Sequence, residues 1–116
     1  MVSYQWGVFW ADLNPSKGSE QAGKRPVLVI SSEEVNQSLP IVTIISLTSV
    51  KPGRKVYPIE VFLDAADTGL PKESIAMAHQ IRAISKERLG LKCGSIEIVE
   101  RREEIKKVIK TYLDLL

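Results

Sequence analysis

Gly18-Ser19-Glu20-Gln21-Ala22-Gly23-Lys24-Arg25-Pro26-Val27-Leu28-Val29-Ile30 joins a polar, basic loop directly to a short apolar run, and the rest of the chain reads as the frame around it. Pro26 to Ser31 has the composition of a buried strand. An aromatic run and the turn signal Asn14-Pro15 come before the loop. Its two glycines open backbone conformations closed to other residues and let a ligand approach the main chain. Ser19 and Gln21 add uncharged hydrogen-bonding groups, and Lys17, Lys24 and Arg25 outnumber the single acid, Glu20. Such a loop suits an anion or a nucleic acid. On composition alone, a solvated connection is the other reading.

Outward from the loop, the pattern is mostly β. Residues 4 to 13 hold Tyr4, Trp6, Phe9 and Trp10 and predict a first strand, with both tryptophans in packing roles. Ser31 to Ser38 is polar enough for a turn of helix. Pro40 to Thr48 is β-branched almost throughout, as expected of a central strand covered on both faces, with Ser46, Thr48 and Ser49 at its polar end. Lys51 to Lys55 is a basic turn, and Tyr57 to Leu63 a strand with Pro58 near its start, which suits an edge. Ser74 to Ile84 alternates, so Ile75, Met77, His79 and Ile81 are expected on one face and Ala76, Ala78, Gln80 and Arg82 on the other. Lys86 to Leu89 predicts a short helical turn and Lys92 to Glu97 a last strand. From about Val99 the period changes: Ile105, Val108, Ile109, Tyr112, Leu113 and Leu116 recur at helical steps. Glu103, Glu104, Lys106, Lys107, Lys110 and Asp114 form that helix's solvated face. The fold class expected is mainly β with α additions: a small, strongly curved antiparallel sheet with a C-terminal amphipathic helix.

The 116 residues suffice for one core without metal or disulfide staples. A net charge of +2 permits an RNA partner but does not demand one, so a nucleic-acid site must come from local clustering. The single cysteine, Cys93, rules out an internal disulfide and fits a reducing compartment. The N-terminus has neither the basic nor the apolar region of a signal peptide, so a soluble, cytoplasmic protein is expected.

Several chemistries are disfavoured. One His, one Cys and no carboxylates at ligand spacing argue against a catalytic metal. There is no nucleophile elbow, phosphate loop or dinucleotide fingerprint. Cleavage of RNA by its own 2′-hydroxyl needs less: a proton acceptor, a proton donor for the departing 5′-oxygen, and donors to the phosphoryl oxygens. Arg25 offers a permanently charged planar fork and Thr48 a hydroxyl.

The string from Gly18 to Val29 resembles the signature of the MazF/PemK family of toxin endoribonucleases. So do Gly7-Val8-Phe9-Trp10-Ala11-Asp12-Leu13-Asn14-Pro15, Ser46-Leu47-Thr48-Ser49, and Gly69-Leu70-Pro71-Lys72-Glu73-Ser74 leading into Gln80-Ile81-Arg82. These blocks occur in the family's order across residues 4 to 90. The resemblance implies an SH3-like barrel formed by one MazF/PemK-like domain over residues 1–116. It implies the toxin half of a type II toxin-antitoxin pair, a homodimer that cuts single-stranded RNA, mRNA in particular, without metal or cofactor. The products would carry 2′,3′-cyclic phosphate and 5′-hydroxyl ends, and a small antitoxin would occupy the RNA groove. On residues, it implies Arg25 and Thr48 as catalytic, and Ser19, Glu20, Gln21, Lys24, Ser46, Gln80 and Arg82 as RNA-binding, with Gln80 reading a base through its amide.

Two departures from the family pattern, and the role of Arg82, leave points open. Lys24 stands where some relatives carry an acid or His, so nothing acidic adjoins Arg25, and Glu20 is the nearest acid in sequence. His79 stands where relatives often have Asp or Glu, and reads either as an auxiliary base or as packing beside its apolar face-mates. Arg82 reads either as an RNA contact or as an ion pair supporting the sheet. Two other functions also fit the composition: a non-catalytic barrel that binds nucleic acid or peptide, and a related barrel toxin acting on a topoisomerase.

Overall fold

The β-branched run becomes strand β3, Ile41–Ser49, and it is central as expected. In this computed structural model, which describes residues 2–15 and 17–115, the strands are β1 Gly7–Asp12, β2 Lys24–Val29, β3, β4 Glu60–Leu63, β5 Ser74–Ser85 and β6 Leu89–Ser95. They form one six-stranded sheet in the order β4-β5-β3-β2-β1-β6, with every pairing antiparallel. Helix α1 spans Glu33–Ser38, α2 Ala65–Thr68 and α3 Val99–Leu113, and Lys86–Arg88 makes a single 3₁₀ turn.

Both faces of the sheet are buried. Against one, Val8, Leu28, Ile45, Leu47, Val61, Leu63, Ala76 and Ala78 pack with Ile105 and Val108 of α3. Against the other, Phe9, Ala11, Leu13, Val27, Val29, Val42, Ile44 and Ile84 form a second core with no helix among its members. A sheet that buries a face without a helical cover must curl around it, which gives the barrel-like form. Hydrogen bonding does not close the circle, because β4 and β6 remain edges.

Element boundaries moved where side chains captured the backbone. The first strand starts at Gly7 rather than residue 4, since Trp6 has φ 66° and the Glu33 carboxylate accepts the Tyr4 and Gln5 amides at 3.0 and 2.7 Å. β4 loses its first three expected residues to a turn in which the Glu60 amide donates to the Tyr57 carbonyl. Helix α2, not foreseen, is set at its start by Asp67, whose carboxylate accepts the Asp64 amide at 2.8 Å. The last strand runs Leu89–Ser95 rather than 92 to 97.

The strict alternation expected of β5 fails. Ser46 pairs with Met77, but Ile44 pairs with Arg82, so four β5 residues oppose Ile45 alone. This wide bulge reverses the parity of the strand. Ile81 therefore packs with Ala76 and Ala78 beneath α3, not with Ile75 and Met77. Arg82 instead joins the face of Ile44 and Ile84.

Candidate active site

Antiparallel pairing brings the end of β3 beside the start of β5, with Ser49 opposite Ser74 and Thr48 opposite Ile75. The start of β2 lies on the other side of β3, where Val27 pairs with Ser46. These strand ends, Trp10 of β1 and the Leu70–Ser74 segment enclose a cleft of about 270 Å³. Arg25 and Thr48, distant in sequence, line it together. Each is carried by a strand whose neighbouring residues are core, Val27–Val29 and Ile44–Leu47, so the cleft has a rigid wall.

The Arg25 guanidinium is half committed. Its Nε donates to the Ala22 carbonyl at 2.9 Å, which fixes the plane of the fork, and its terminal nitrogens make no hydrogen bond or ion pair among the described residues. Thr48 is half-buried on the same cleft. Lys24 and Lys72 add two cations, and Glu73 is the single carboxylate in the lining. Three cations against one acid give a cleft suited to a phosphodiester.

The rim segment Leu70–Ser74 is placed by two glycines. A Cβ on Gly69 would sit 2.5 Å from the Cys93 carbonyl oxygen, and one on Gly94 2.7 Å from that of Thr68. The end of α2 can thus lie directly on β6, and the chain leaving it reaches the cleft. Gly69, at φ 80°, also ends α2.

The β1–β2 loop is held from both sides. At its base the Asn14 side chain accepts the Gly23 amide at 3.0 Å, and Arg88 donates to the carbonyls of Asp12, at 3.1 Å, and Asn14. Near its tip the Gln80 amide accepts from the Gln21 N–H at 3.3 Å and donates to the Ser19 carbonyl at 3.2 Å. Gln80, expected to present its amide to a base, is therefore engaged with the loop backbone in this structure. Ser19 and Glu20 are exposed on the loop. Glu20 accepts the Lys17 amide at 2.5 Å and does not line the Arg25 cleft.

Ser46 requires a correction. It is fully buried between Val27 and Met77, so this side chain does not reach a surface where RNA could touch it. Strand parity explains the misreading: Ser46 shares a face with Thr48, but lies one pair deeper, where the second core has begun. His79 and Arg82 are half-buried outside the cleft, and among the described residues neither His79 Nδ1 nor Arg82 Nη1 has a hydrogen-bond partner. The supporting ion pair considered for Arg82 is absent among the described residues.

A separate ionic cluster organises the β3–β4 turn. Arg54 grips the buried Glu60 carboxylate with both terminal nitrogens, at 3.0 and 2.8 Å, and the Tyr57 amide donates to it at 3.0 Å. Burial pushes the Glu60 carboxyl up, but the Arg54 and Tyr57 hydrogen bonds and the charges of Arg54 and His79 outweigh it and leave the pKa lowered. Among the described residues, no three or more His, Cys, Asp or Glu side chains are grouped to hold a metal ion. No described helix is long and apolar enough to cross a membrane.

Sequence reasoning gave no role to Lys72, Glu73 or Arg88. The first two lie inside the block Gly69 to Ser74, so a signal was present. Arg88 carried none, because its partners are backbone carbonyls 74 and 76 residues away.

The profile of the family described as PemK-like, MazF-like toxin of type II toxin-antitoxin system matches residues 4–113. Endoribonuclease MazF9 of Mycobacterium tuberculosis is 36% identical over 115 residues, covering 94% of this chain and 95% of its own length. Endoribonuclease EndoA of Bacillus subtilis is 33% identical, covering 98% and 99%. Among solved structures, MazF of Deinococcus radiodurans superposes with a TM-score of 0.82 at 23% identity, covering 99% of each chain. A mycobacterial endoribonuclease in complex with its cognate antitoxin gives 0.80 at 23% identity, covering 99% and 98%. At these identities the two superpositions speak for the fold.

Proposed function

This chain belongs to the PemK-like, MazF-like toxins of type II toxin-antitoxin systems and is an endoribonuclease of that family, and we propose that the Arg25–Thr48 cleft is where it cuts single-stranded RNA. The observation that carries this reading is the state of Arg25. Its Nε is tied to Ala22, its terminal nitrogens are free among the described residues, and Thr48 lines the same cleft. That arrangement presents two parallel charge-assisted donors and a hydroxyl to one phosphodiester.

The reaction is attack by the 2′-hydroxyl of the RNA on the adjacent phosphorus, giving a 2′,3′-cyclic phosphate and a 5′-hydroxyl. The nucleophile comes from the substrate, so the protein need only orient the phosphate, stabilise the charge that builds on its oxygens, and move protons. Arg25 and Thr48 do the stabilising, and no metal enters the scheme. Lys24 contacts the neighbouring backbone, while Ser19, Glu20 and Gln21 present the loop along which the strand continues. Gln80 and Arg82 lie beyond that loop on β5, and their free or releasable donors suit unstacked bases. His79 lies outside the cleft, which counts against its acting as an auxiliary base.

We further propose one functional domain over residues 1–116, acting in the cytoplasm as a homodimer with mRNA as the cellular target. An antitoxin neutralises it by covering the cleft, in keeping with the antitoxin-bound solved relative. The test is incubation of purified protein with a long single-stranded RNA in excess EDTA, with ends mapped by primer extension, alongside Arg25→Ala and Thr48→Ala. Discrete cuts by the parent and none by either variant support the reading. Cuts that persist in both variants move the reaction elsewhere, and intact RNA that is bound with salt-dependent affinity makes this chain a binding module.

A further inference from the structure

The 2′-hydroxyl must lose a proton, and neither Arg25 nor Thr48 can accept one. A guanidinium and an ammonium are donors only, and a neutral hydroxyl is too weak a base. That disposes of Arg25, Lys24, Lys72, Thr48 and the two lining serines. Trp10 offers only an N–H, and the remaining lining residues are apolar. One side chain in the cleft remains, the carboxylate of Glu73.

We propose that Glu73 is the proton acceptor of the cleavage step, an inference that rests on the reading of Arg25 and Thr48 as the reaction centre. Glu73 immediately precedes β5, whose Ser74 pairs with Ser49 and whose Ile75 pairs with Thr48. Glu73 thus enters the cleft from the segment that leads into β5, and it lines the cleft together with Arg25 and Thr48. It is exposed, and its carboxylate makes no hydrogen bond or ion pair among the described residues. The charged groups around it are Lys24 and Arg25 from β2 and Lys72 from its own segment. Glu20, the nearest acid in sequence to Arg25, holds the Lys17 amide, and the buried Glu60 holds Arg54.

In the step, the proton of the 2′-hydroxyl passes to a Glu73 oxygen as O2′ forms its bond to phosphorus. The bond from phosphorus to O5′ breaks with its electron pair leaving on O5′, which takes a proton from water. Glu73 then returns its proton to solvent. The net change is one proton moved from O2′ to O5′, with nothing oxidised or consumed. The arrangement also accounts for Lys24: with the carboxylate supplied from the opposite rim, no acid is needed beside Arg25.

The test is single-turnover cleavage of a fluorescent RNA across a pH series by the parent, Glu73→Gln, Glu73→Asp and Arg25→Ala, with melting temperature and RNA affinity measured for each. The proposal expects Glu73→Gln to melt and bind RNA like the parent, to cleave about 10²- to 10⁴-fold more slowly, and to lose the acidic limb of the rate profile. Glu73→Asp should recover part of the rate. A Glu73→Gln protein that cleaves as fast as the parent, or faster because a repelling charge is gone, overturns the proposal while leaving the site intact if Arg25→Ala is dead. If Arg25→Ala cleaves normally, the reading of the site itself fails.

Discussion

Replacing Arg25 with lysine keeps a positive charge at the cleft and removes the fork, so it separates geometry from charge. In the parent, three nitrogens divide the work, Nε holding the Ala22 carbonyl at 2.9 Å and the terminal pair remaining for a phosphate. A single ammonium cannot reach both. It either keeps the loop and offers one donor, or turns to the phosphate and releases Ala22. At least one charge-assisted hydrogen bond to the reacting group is lost, and such a bond contributes about 1.5–3 kcal/mol. If that bond strengthens as charge builds on the phosphoryl oxygens, the loss falls on the chemical step, and kcat drops roughly 10- to 150-fold at 1.36 kcal/mol per decade. Arg25→Ala, which removes charge and fork together, should cost about 10²–10³ or more. Multiple-turnover cleavage of a short fluorescent RNA would separate kcat from KM. A lysine variant within twofold of the parent, or one impaired in KM alone, would refute the bidentate argument and leave Arg25 as a simple electrostatic contact.

Other parts of the structure make equally direct demands. Arg88→Ala should loosen the base of the β1–β2 loop, which it holds through the Asp12 and Asn14 carbonyls. Hydrogen exchange at residues 17 to 23 should quicken while core amides stay protected, and unchanged exchange would show that Asn14 suffices alone. Ile105→Ala empties a fully buried site beneath the sheet and should cost about 2–5 kcal/mol in denaturant unfolding. A loss below 1 kcal/mol would mean that α3 contributes little to the core. The Glu60 carboxyl has a folded pKa below its unfolded value, so its stabilisation is present above the ordinary carboxylate range and lost as pH falls through the folded pKa. Unfolding free energy measured across an acid series should therefore fall for the parent and fall less steeply for Glu60→Gln, which starts lower at neutral pH by about 1.5–3 kcal/mol. Parallel curves would contradict that assignment.

What the sequence made legible, and what it hid, divides along the range of the interactions. The β-branched run of β3, the period change at Val99 and the basic loop are properties of contiguous residues, and each became the element expected. Arg25 and Thr48 were legible as a pair through the family resemblance, and their meeting in one cleft follows from antiparallel pairing of two well-marked strands. The errors arise where one residue is decided by another far away. The β5 bulge opposite Ile45 leaves no mark in a sequence that alternates on both sides of it, so Ile81 was assigned to the wrong face. Ser46 looked like Thr48 because strand parity gives direction but not depth. The contact of Gln80 with the loop was equally hidden, because nothing near it in sequence says that Ser19 and Gln21, 61 and 59 residues earlier, come to meet it.

If Gln80 reads a base, as proposed above, that last contact links loop order to substrate binding. The amide that suits a base edge spends its donor and acceptor on the loop, at 3.2 and 3.3 Å, near the long end of the normal hydrogen-bond range. A base that offers a complementary edge exchanges those bonds for its own, at little net cost in hydrogen bonding. On that reading the loop tip would be freed as a base is bound, while its base stays fixed by Asn14 and Arg88. Arg25, tied through Ala22 to the segment between those two points, is the group whose setting such an exchange would alter, so recognition of a base and orientation of the phosphate fork are mechanically connected through one short loop.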